Sequence, residues 1–225
     1  MTQKGVDFDD FADHYEKILS DQLSFFSAER KYFSAYKIEL VAKLLSEPPR
    51  SILDYGCGVG LSLPHFRRVF PEAEIHATDI SQRSLEFVRS NYPYVKVLQE
   101  SDINAYSYDL VFLATVLHHV PPVQRASLVK KLKILLETKG VLCVFEHNPY
   151  NPVTRKMVAT CPFDEGVELI SMHKLSRLLK NKCEMLCVKK GYCLFFPKPL
   201  QGLRSFEQFL SWLPIGGQYY MIARA

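Results

Sequence analysis

The sequence predicts a doubly wound α/β fold, a largely parallel sheet covered by helices on both faces, and three observations lead there. Short apolar runs alternate with stretches of helical spacing along most of the chain. The first run before a glycine loop, in Ser51-Ile-Leu-Asp-Tyr-Gly-Cys-Gly-Val-Gly60, ends in a carboxylate followed by three glycines that alternate with other residues. A second carboxylate, Asp79, closes the next run about twenty residues beyond that loop.

The elements follow in order. Phe8 to Tyr15 and the segment through Leu45 have helical spacing, with Leu40, Val41, Leu44 and Leu45 as the apolar stripe, and Pro48-Pro49 stops the helix. Ile52 and Leu53 supply a buried first strand, after which Gly56, Gly58 and Gly60 permit positive φ and a close backbone approach to a ligand. Leu61, Leu63, Phe66, Val69 and Phe70 repeat at helical spacing, with Pro64 tolerated in the first turn. Ile75 to Asp79 is the second strand, Ser81 caps a helix carrying Leu85 and Val88, and Tyr94 to Leu98 is the third strand. Asp109 to Ala114 is an apolar fourth strand, buried on both faces.

Pro121-Pro122 then opens a helix with Leu128, Leu132, Leu135 and Leu136 inward, which Lys139-Gly140 ends, and Val141 to Phe145 is the fifth strand. A helix over Met172 to Lys180, a sixth strand around Glu184 to Lys190 and a last strand over Gln218 to Ala223 complete a Rossmann-like sheet of seven strands. The expected organisation is a single domain over 1–225 with an N-terminal helical cap over 1–47. Two stretches, 147–169 and 197–214, break the pattern and read as lid-like insertions, the second with a short helix carrying Leu203, Phe206, Phe209, Leu210 and Trp212.

Composition narrows the class. A chain of 225 residues, 48% hydrophobic and 23% charged, suits one soluble domain with a sizeable core. No apolar run reaches membrane-spanning length and the first ten residues are too acidic and polar for a signal peptide, so a cytoplasmic location is expected. Six cysteines without a paired C-x-x-C pattern read as reduced thiols, and no metal site is expected. A net charge of +4 with scattered Lys and Arg is no footprint of nucleic-acid binding.

Strand, glycine loop and helix in that order serve nicotinamide, flavin and S-adenosylmethionine alike. A dinucleotide loop wants G-x-G-x-x-G facing a pyrophosphate; here the pattern is D-x-G-C-G-x-G, and a carboxylate at Asp54 suits a ligand that carries an ammonium and a sulfonium. The segment resembles the first motif of class I S-adenosylmethionine-dependent methyltransferases, and the motif order agrees over about residues 38–225. The resemblance implies a last strand inserted antiparallel between the fifth and sixth, N-terminal helices over the cofactor, and in-line methyl transfer to a small or medium-sized metabolite. It implies S-adenosylmethionine as cofactor and a small-molecule acceptor as partner. The alternative is a non-catalytic S-adenosylmethionine-binding regulator or partner subunit, which would keep the same acids but fill the acceptor side.

The resemblance assigns Asp54, Gly56, Cys57, Gly58 and Gly60 to the cofactor, Asp79 to the ribose hydroxyls and Ile80 to the adenine face. Asp102 with Ile103 falls where the family holds adenine, Glu100 being the competing acid, and Ala114 and Thr115 fall along the methionine moiety. His118 and His119 hold a substrate group or act as a base; capping the next helix or a core hydrogen bond is the alternative for either. Glu146-His-Asn-Pro-Tyr-Asn-Pro-Val-Thr-Arg155, followed by Cys161-Pro-Phe-Asp164, lies on the acceptor rim, and His147, Asn148, Tyr150 and Arg155 are its candidate acceptor contacts. This stretch resembles a methyltransferase subgroup associated with glycosyltransferase and lipid-linked sugar pathways, which implies a glycan- or lipid-related acceptor.

Overall fold

The computed structural model describes residues 27–161, 164–196 and 198–225. The expected helical segment from Phe8 to Phe26 lies outside the described residues, so the cap is seen only from Ser27 onward. Seven strands form one sheet: β1 (Ser51–Tyr55), β2 (Glu74–Thr78), β3 (Lys96–Val97), β4 (Tyr108–Ala114), β5 (Leu136–His147), β6 (Leu186–Cys193) and β7 (Gln218–Arg224). Their order is β3-β2-β1-β4-β5-β7-β6. Neighbours from β3 through β5 are parallel, and β7 runs antiparallel to both β5 and β6, as the family resemblance implied.

The helices are α1 (Ser27–Leu44), α2 (Leu63–Val69), α3 (Gln82–Asn91), α4 (Pro122–Ile134), α5 (Pro152–Thr160) and α6 (Met172–Cys183). Side chains alternate across the central strands. Ile52, Leu110, Phe112, Cys143 and Phe145 pack with Ile38 and Val41 of α1, Phe66 of α2 and Val88 of α3. Leu53, Val111, Leu113, Leu142 and Val144 pack with Val129 and Leu132 of α4 and Leu175 and Leu179 of α6. Because both faces are covered, the central strands are continuous apolar runs rather than alternating ones. No helix among the described residues is long and apolar enough to cross a membrane.

Several boundaries differ from the sequence expectation. The helix before β5 stops at Ile134, and β5 begins at Leu136, because its ladder to β4 resumes after an irregularity between the Tyr108 and Leu110 pairings. Gly140 sits in that irregularity, where a Cβ would meet the Tyr108 carbonyl oxygen at 2.5 Å. The third strand shrinks to Lys96–Val97 at the sheet edge, and the sixth reaches on to Cys193. The stretch 147–169 contains a helix, α5: Pro152 supplies its first turn and the Asn151 side chain accepts the Thr154 amide at 2.9 Å.

The second insertion forms 3₁₀ turns over Lys198–Phe209. Glu207 is buried there and its Oε1 accepts the amides of Phe195 and Phe196 at 3.0 and 3.1 Å, while the Arg204 guanidinium lies 3.6 Å from the Tyr32 ring centroid on α1. The insertion is thereby fastened to the cap helix, with Phe206, Phe209 and Trp212 left exposed.

Candidate functional site

The order of the parallel strands reverses between β1 and β4, and the crevice beyond their carboxyl ends is where doubly wound folds take ligands. Four segments meet there, the glycine loop after β1, Asp79 after β2, the 114–119 segment after β4 and His147 at the end of β5, with Lys37 of α1 near enough to act on Asp54. Gly56, Gly58 and Gly60 all have positive φ, 74°, 51° and 76°. A Cβ at Gly56 would stand 2.6 Å from Val116 Cγ2, so this glycine lets the loop close on the segment after β4. A Cβ at Gly58 would meet nothing within 4 Å: its open side is a cradle that any larger residue would fill.

Asp54, the penultimate residue of β1, is almost fully buried, at 3% exposure, and its Oδ2 makes no hydrogen bond. Burial, then repulsion from Asp79, pushes its carboxyl up to about 7, with Lys37 opposing. Lys37 of α1 is itself buried, and burial lowers its ammonium despite the nearby Cys193, Glu146 and Asp54. A buried carboxylate with an unfilled acceptor is costly unless a cation or donor completes it. The ammonium of S-adenosylmethionine would complete that carboxylate, and the open space beside Gly58 fits a ligand lying against backbone.

Asp79 tightens the loop. Its Oδ2 accepts the Gly58 amide at 2.7 Å and its Oδ1 the Ser81 amide at 2.9 Å, and Ser81 in turn caps α3 through the Ser84 amide. Ile80, beside it, is 77% exposed, a large apolar face at the crevice mouth. The Cys57 thiol, half-buried, turns to the Gly58 carbonyl and is pushed up by burial. Asp102 is exposed at the start of a short 3₁₀ turn, whereas Ile103 is fully buried in the core beneath the sheet, so its side chain has no open face for a base. Glu100 accepts the Tyr55 hydroxyl at 2.6 Å and pairs with Lys131 at 3.0 Å. Thr115 holds a left-handed φ of 59°, with its amide on the Phe145 carbonyl, and so bends the chain away from β4 next to Ala114.

The acceptor side centres on a buried charge cluster. His118 Nδ1 lies 2.7 Å from Glu146 Oε2, both side chains 1% exposed, and the other Glu146 oxygen accepts the Leu117 amide at 2.7 Å. Burial alone would depress His118, but Glu146 and Asp164 reverse that and hold it at about 9. Burial would likewise raise Glu146, and the His118 charge brings it below its ordinary value. His119 and His147 go the other way, to about 4, through burial and then repulsion from His118. The two acids thereby favour the charged form of His118, and burial with repulsion from it favours the neutral forms of His119 and His147.

The predicted acceptor residues separate. His147 is buried in the cluster, its ring centroid 5.1 Å from that of His118. Asn148 is buried too, but its Nδ2 donates to the Pro214 and Gly216 carbonyls and its Oδ1 accepts the Tyr150 amide. With Asn151 on the Ile215 carbonyl and Thr154 on that of Gly217, it clamps the approach to β7. Tyr150 and Arg155 are exposed, outside the buried cluster. Sequence reasoning gave no role to Glu146 or Asp164; an acid closing an apolar strand was the available signal for the first, and Asp164 had none.

Residues 52–140 match a family model described as a methyltransferase domain. The chain is 33% identical over 126 residues to a trans-aconitate 2-methyltransferase from Methylobacterium radiotolerans, a match covering 54% of this chain and 47% of that protein. It is 26% identical over 181 residues to a malonyl-[acyl-carrier protein] O-methyltransferase from Halalkalibacterium halodurans, covering 73% and 64%. The chain thus spans about half to two-thirds of the length of these curated relatives. Its fold is similar to the crystal structure of an S-adenosylmethionine-dependent methyltransferase from Archaeoglobus fulgidus, with a TM-score of 0.67 at 14% identity, covering 87% and 94%.

Proposed function

We propose, from the premise that this chain belongs to the class I S-adenosylmethionine-dependent methyltransferases, that it moves a methyl group to a small acceptor carrying an oxygen or nitrogen nucleophile. The carrying observation is the buried Asp54 carboxylate with an unfilled acceptor, set between positive-φ glycines and Asp79 at the strand-order reversal. Bound S-adenosylmethionine supplies an electrophilic methyl on a sulfonium. Asp54 would receive its ammonium, Asp79 its ribose hydroxyls, and Ile80 would cover the adenine. The loop backbone at Gly58 would lie against it.

The protein's remaining work is positioning. Collinear placement in a dry site can supply roughly 7–11 kcal/mol of barrier lowering without a covalent step. The His118–Glu146 pair fixes the segment after β4 against β5, and His119, neutral and partly open, is the group we assign to take a proton from a hydroxyl acceptor. The relatives named for trans-aconitate and malonyl-[acyl-carrier protein] make carboxylate-bearing acceptors the first to assay, and the resemblance of the 146–155 stretch makes glycan- or lipid-linked acceptors the second. One domain over the whole chain, a reducing cytoplasmic setting consistent with six free cysteines, and no nucleic-acid partner belong to the same proposal.

Calorimetry with S-adenosylmethionine, S-adenosylhomocysteine and nicotinamide dinucleotides tests the cofactor assignment. Binding of the first two supports it, and tight nicotinamide binding with neither of the others would end it. Release of S-adenosylhomocysteine with a carboxylate or lipid-linked acceptor then separates an enzyme from a binding-only regulator.

A further inference from the structure

The acceptor rim carries a donor set that the methyl-transfer reading does not use. His118, His147 and Asp164 come from three segments, after β4, at the end of β5, and beyond α5. One ligand atom from each lies within 4.8 Å of the others. His118 Nδ1 is committed to Glu146, which leaves Nε2; that nitrogen is buried and faces only Asp164 Oδ1, at 3.5 Å, so a cation entering between them would take the place of the proton that the two acids favour there, and that proton would be released on binding. Two ligands of a tetrahedral ion at about 2.0–2.1 Å are separated by about 3.4 Å. The His118–Asp164 spacing already matches, and no pair among the three ligand atoms is farther apart than 4.8 Å.

We propose that His118, His147 and Asp164 bind a first-row divalent cation, with zinc as the expected occupant. Two imidazoles and one carboxylate suit zinc, and calcium or magnesium would demand an all-oxygen shell. The surroundings have the form that orients metal ligands. Glu146 holds the far nitrogen of His118 at 2.7 Å, the carboxylate–histidine arrangement that sets the tautomer and ring of a ligating imidazole. Gln218 stands 3.4 Å from Nδ1 of His147, and its Oε1 is buried with no partner. A half-turn of that amide would set Oε1 on the His147 Nδ1–H, giving the second histidine its own outer acceptor and removing an orphan.

Three protein ligands leave a fourth position, which is the composition of sites that take water or a substrate oxygen rather than of closed structural sites. Asp164 also faces His119 Nε2 at 3.4 Å, so the open position borders the group assigned to proton transfer. A cation there would hold an acceptor carboxylate or hydroxyl at the rim; this role, unlike the binding, rests on the methyl-transfer reading.

The test titrates metal-free wild type, Asp164→Asn and His147→Gln with zinc chloride in competition with a chelating indicator, and with cobalt chloride by visible spectroscopy. S-adenosylhomocysteine affinity is measured on the same samples, with circular dichroism as the check of folding. Expected are one equivalent of zinc, at least tenfold weaker binding in both variants with cofactor affinity kept, and a tetrahedral cobalt spectrum without a thiolate charge-transfer band. No saturable binding of either metal, undiminished binding in both folded variants, or a thiolate band placing the metal on cysteine overturns the proposal. Cofactor binding without metal binding sinks this inference alone. Metal binding without cofactor binding sinks the methyl-transfer reading alone.

Discussion

Asp79 accepts the Gly58 amide at 2.7 Å across the mouth of the crevice, so the carboxylate assigned to the cofactor also fixes the glycine loop. From sequence, Asp79→Ala is expected to weaken the ligand and leave the fold nearly untouched. The geometry changes the second half. Losing hydrogen bonds to Gly58 and Ser81 is expected to cost about 1–3 kcal/mol of stability, alongside about 1.5–3 kcal/mol of cofactor affinity. Denaturant unfolding and calorimetry on the same variant read both. Full affinity in a folded variant would show that the ribose is held elsewhere.

Asp54 predicts a pH dependence whose sign is fixed by its raised pKa. Its unfolded value lies near 4 and its folded value is about 7, so the cost of burying the ionised form is absent below pH 4, grows from there to 7, and is constant above. A cationic ligand group favours that ionised form. Cofactor affinity should therefore rise with pH and level off above 7, being about tenfold lower at pH 6 than on the plateau. Protons should be released on binding near pH 6, visible as a buffer-dependent heat. Asp54→Asn should bind weakly and flatly across the same range; a wild type equally flat would remove Asp54 from the ammonium site.

The cofactor half was legible because its chemistry is written in neighbouring residues. Asp54, the glycines and Asp79 lie on two strand ends whose apolar runs declare themselves, and the alternation of elements predicts a parallel sheet with helices on both faces. The acceptor half was not, because its cluster joins residues 118, 146, 147 and 164, and nothing local tells a buried His118 from one that caps a helix. Asn148 shows the opposite failure. Polar residues in a proline-rich loop read as ligand donors, yet here they satisfy the carbonyls that precede an inserted antiparallel strand. Leu135 and Leu136 continued a helical stripe in sequence, but the pairing of Leu136 with Tyr108 turned the second into strand.

The glycine loop should separate fold from function at Gly56 and Gly58. Gly58→Ala places a methyl in open space, so the fold should lose only the left-handed penalty of about 1–2 kcal/mol. That same space is the ligand's, and cofactor affinity should fall more than tenfold. Gly56→Ala forces a methyl against Val116 and should destabilise the fold more than Gly58→Ala does. Paired melting curves and titrations check the ordering. A reversed ordering would mean that the ligand lies on the Val116 side of the loop.

The buried pair of Glu146 and His118 should be costly to break and cheap to replace. Glu146→Ala leaves the His118 cation and the Leu117 amide without their acceptor in a site closed to water, an expected loss of about 3–5 kcal/mol. His118→Leu strands the Glu146 carboxylate in the same way. The double variant removes both charges together, and its stability should recover to within about 2 kcal/mol of wild type, a residue of the cost remaining at the Leu117 amide. The glycine loop lies outside this pair, so the double variant should still bind S-adenosylhomocysteine while methyl transfer fails. Chemical denaturation of the four proteins closes the cycle. A double variant as unstable as the two single losses added together would show that the pair is not coupled, and the acceptor rim would then have to be organised by other groups.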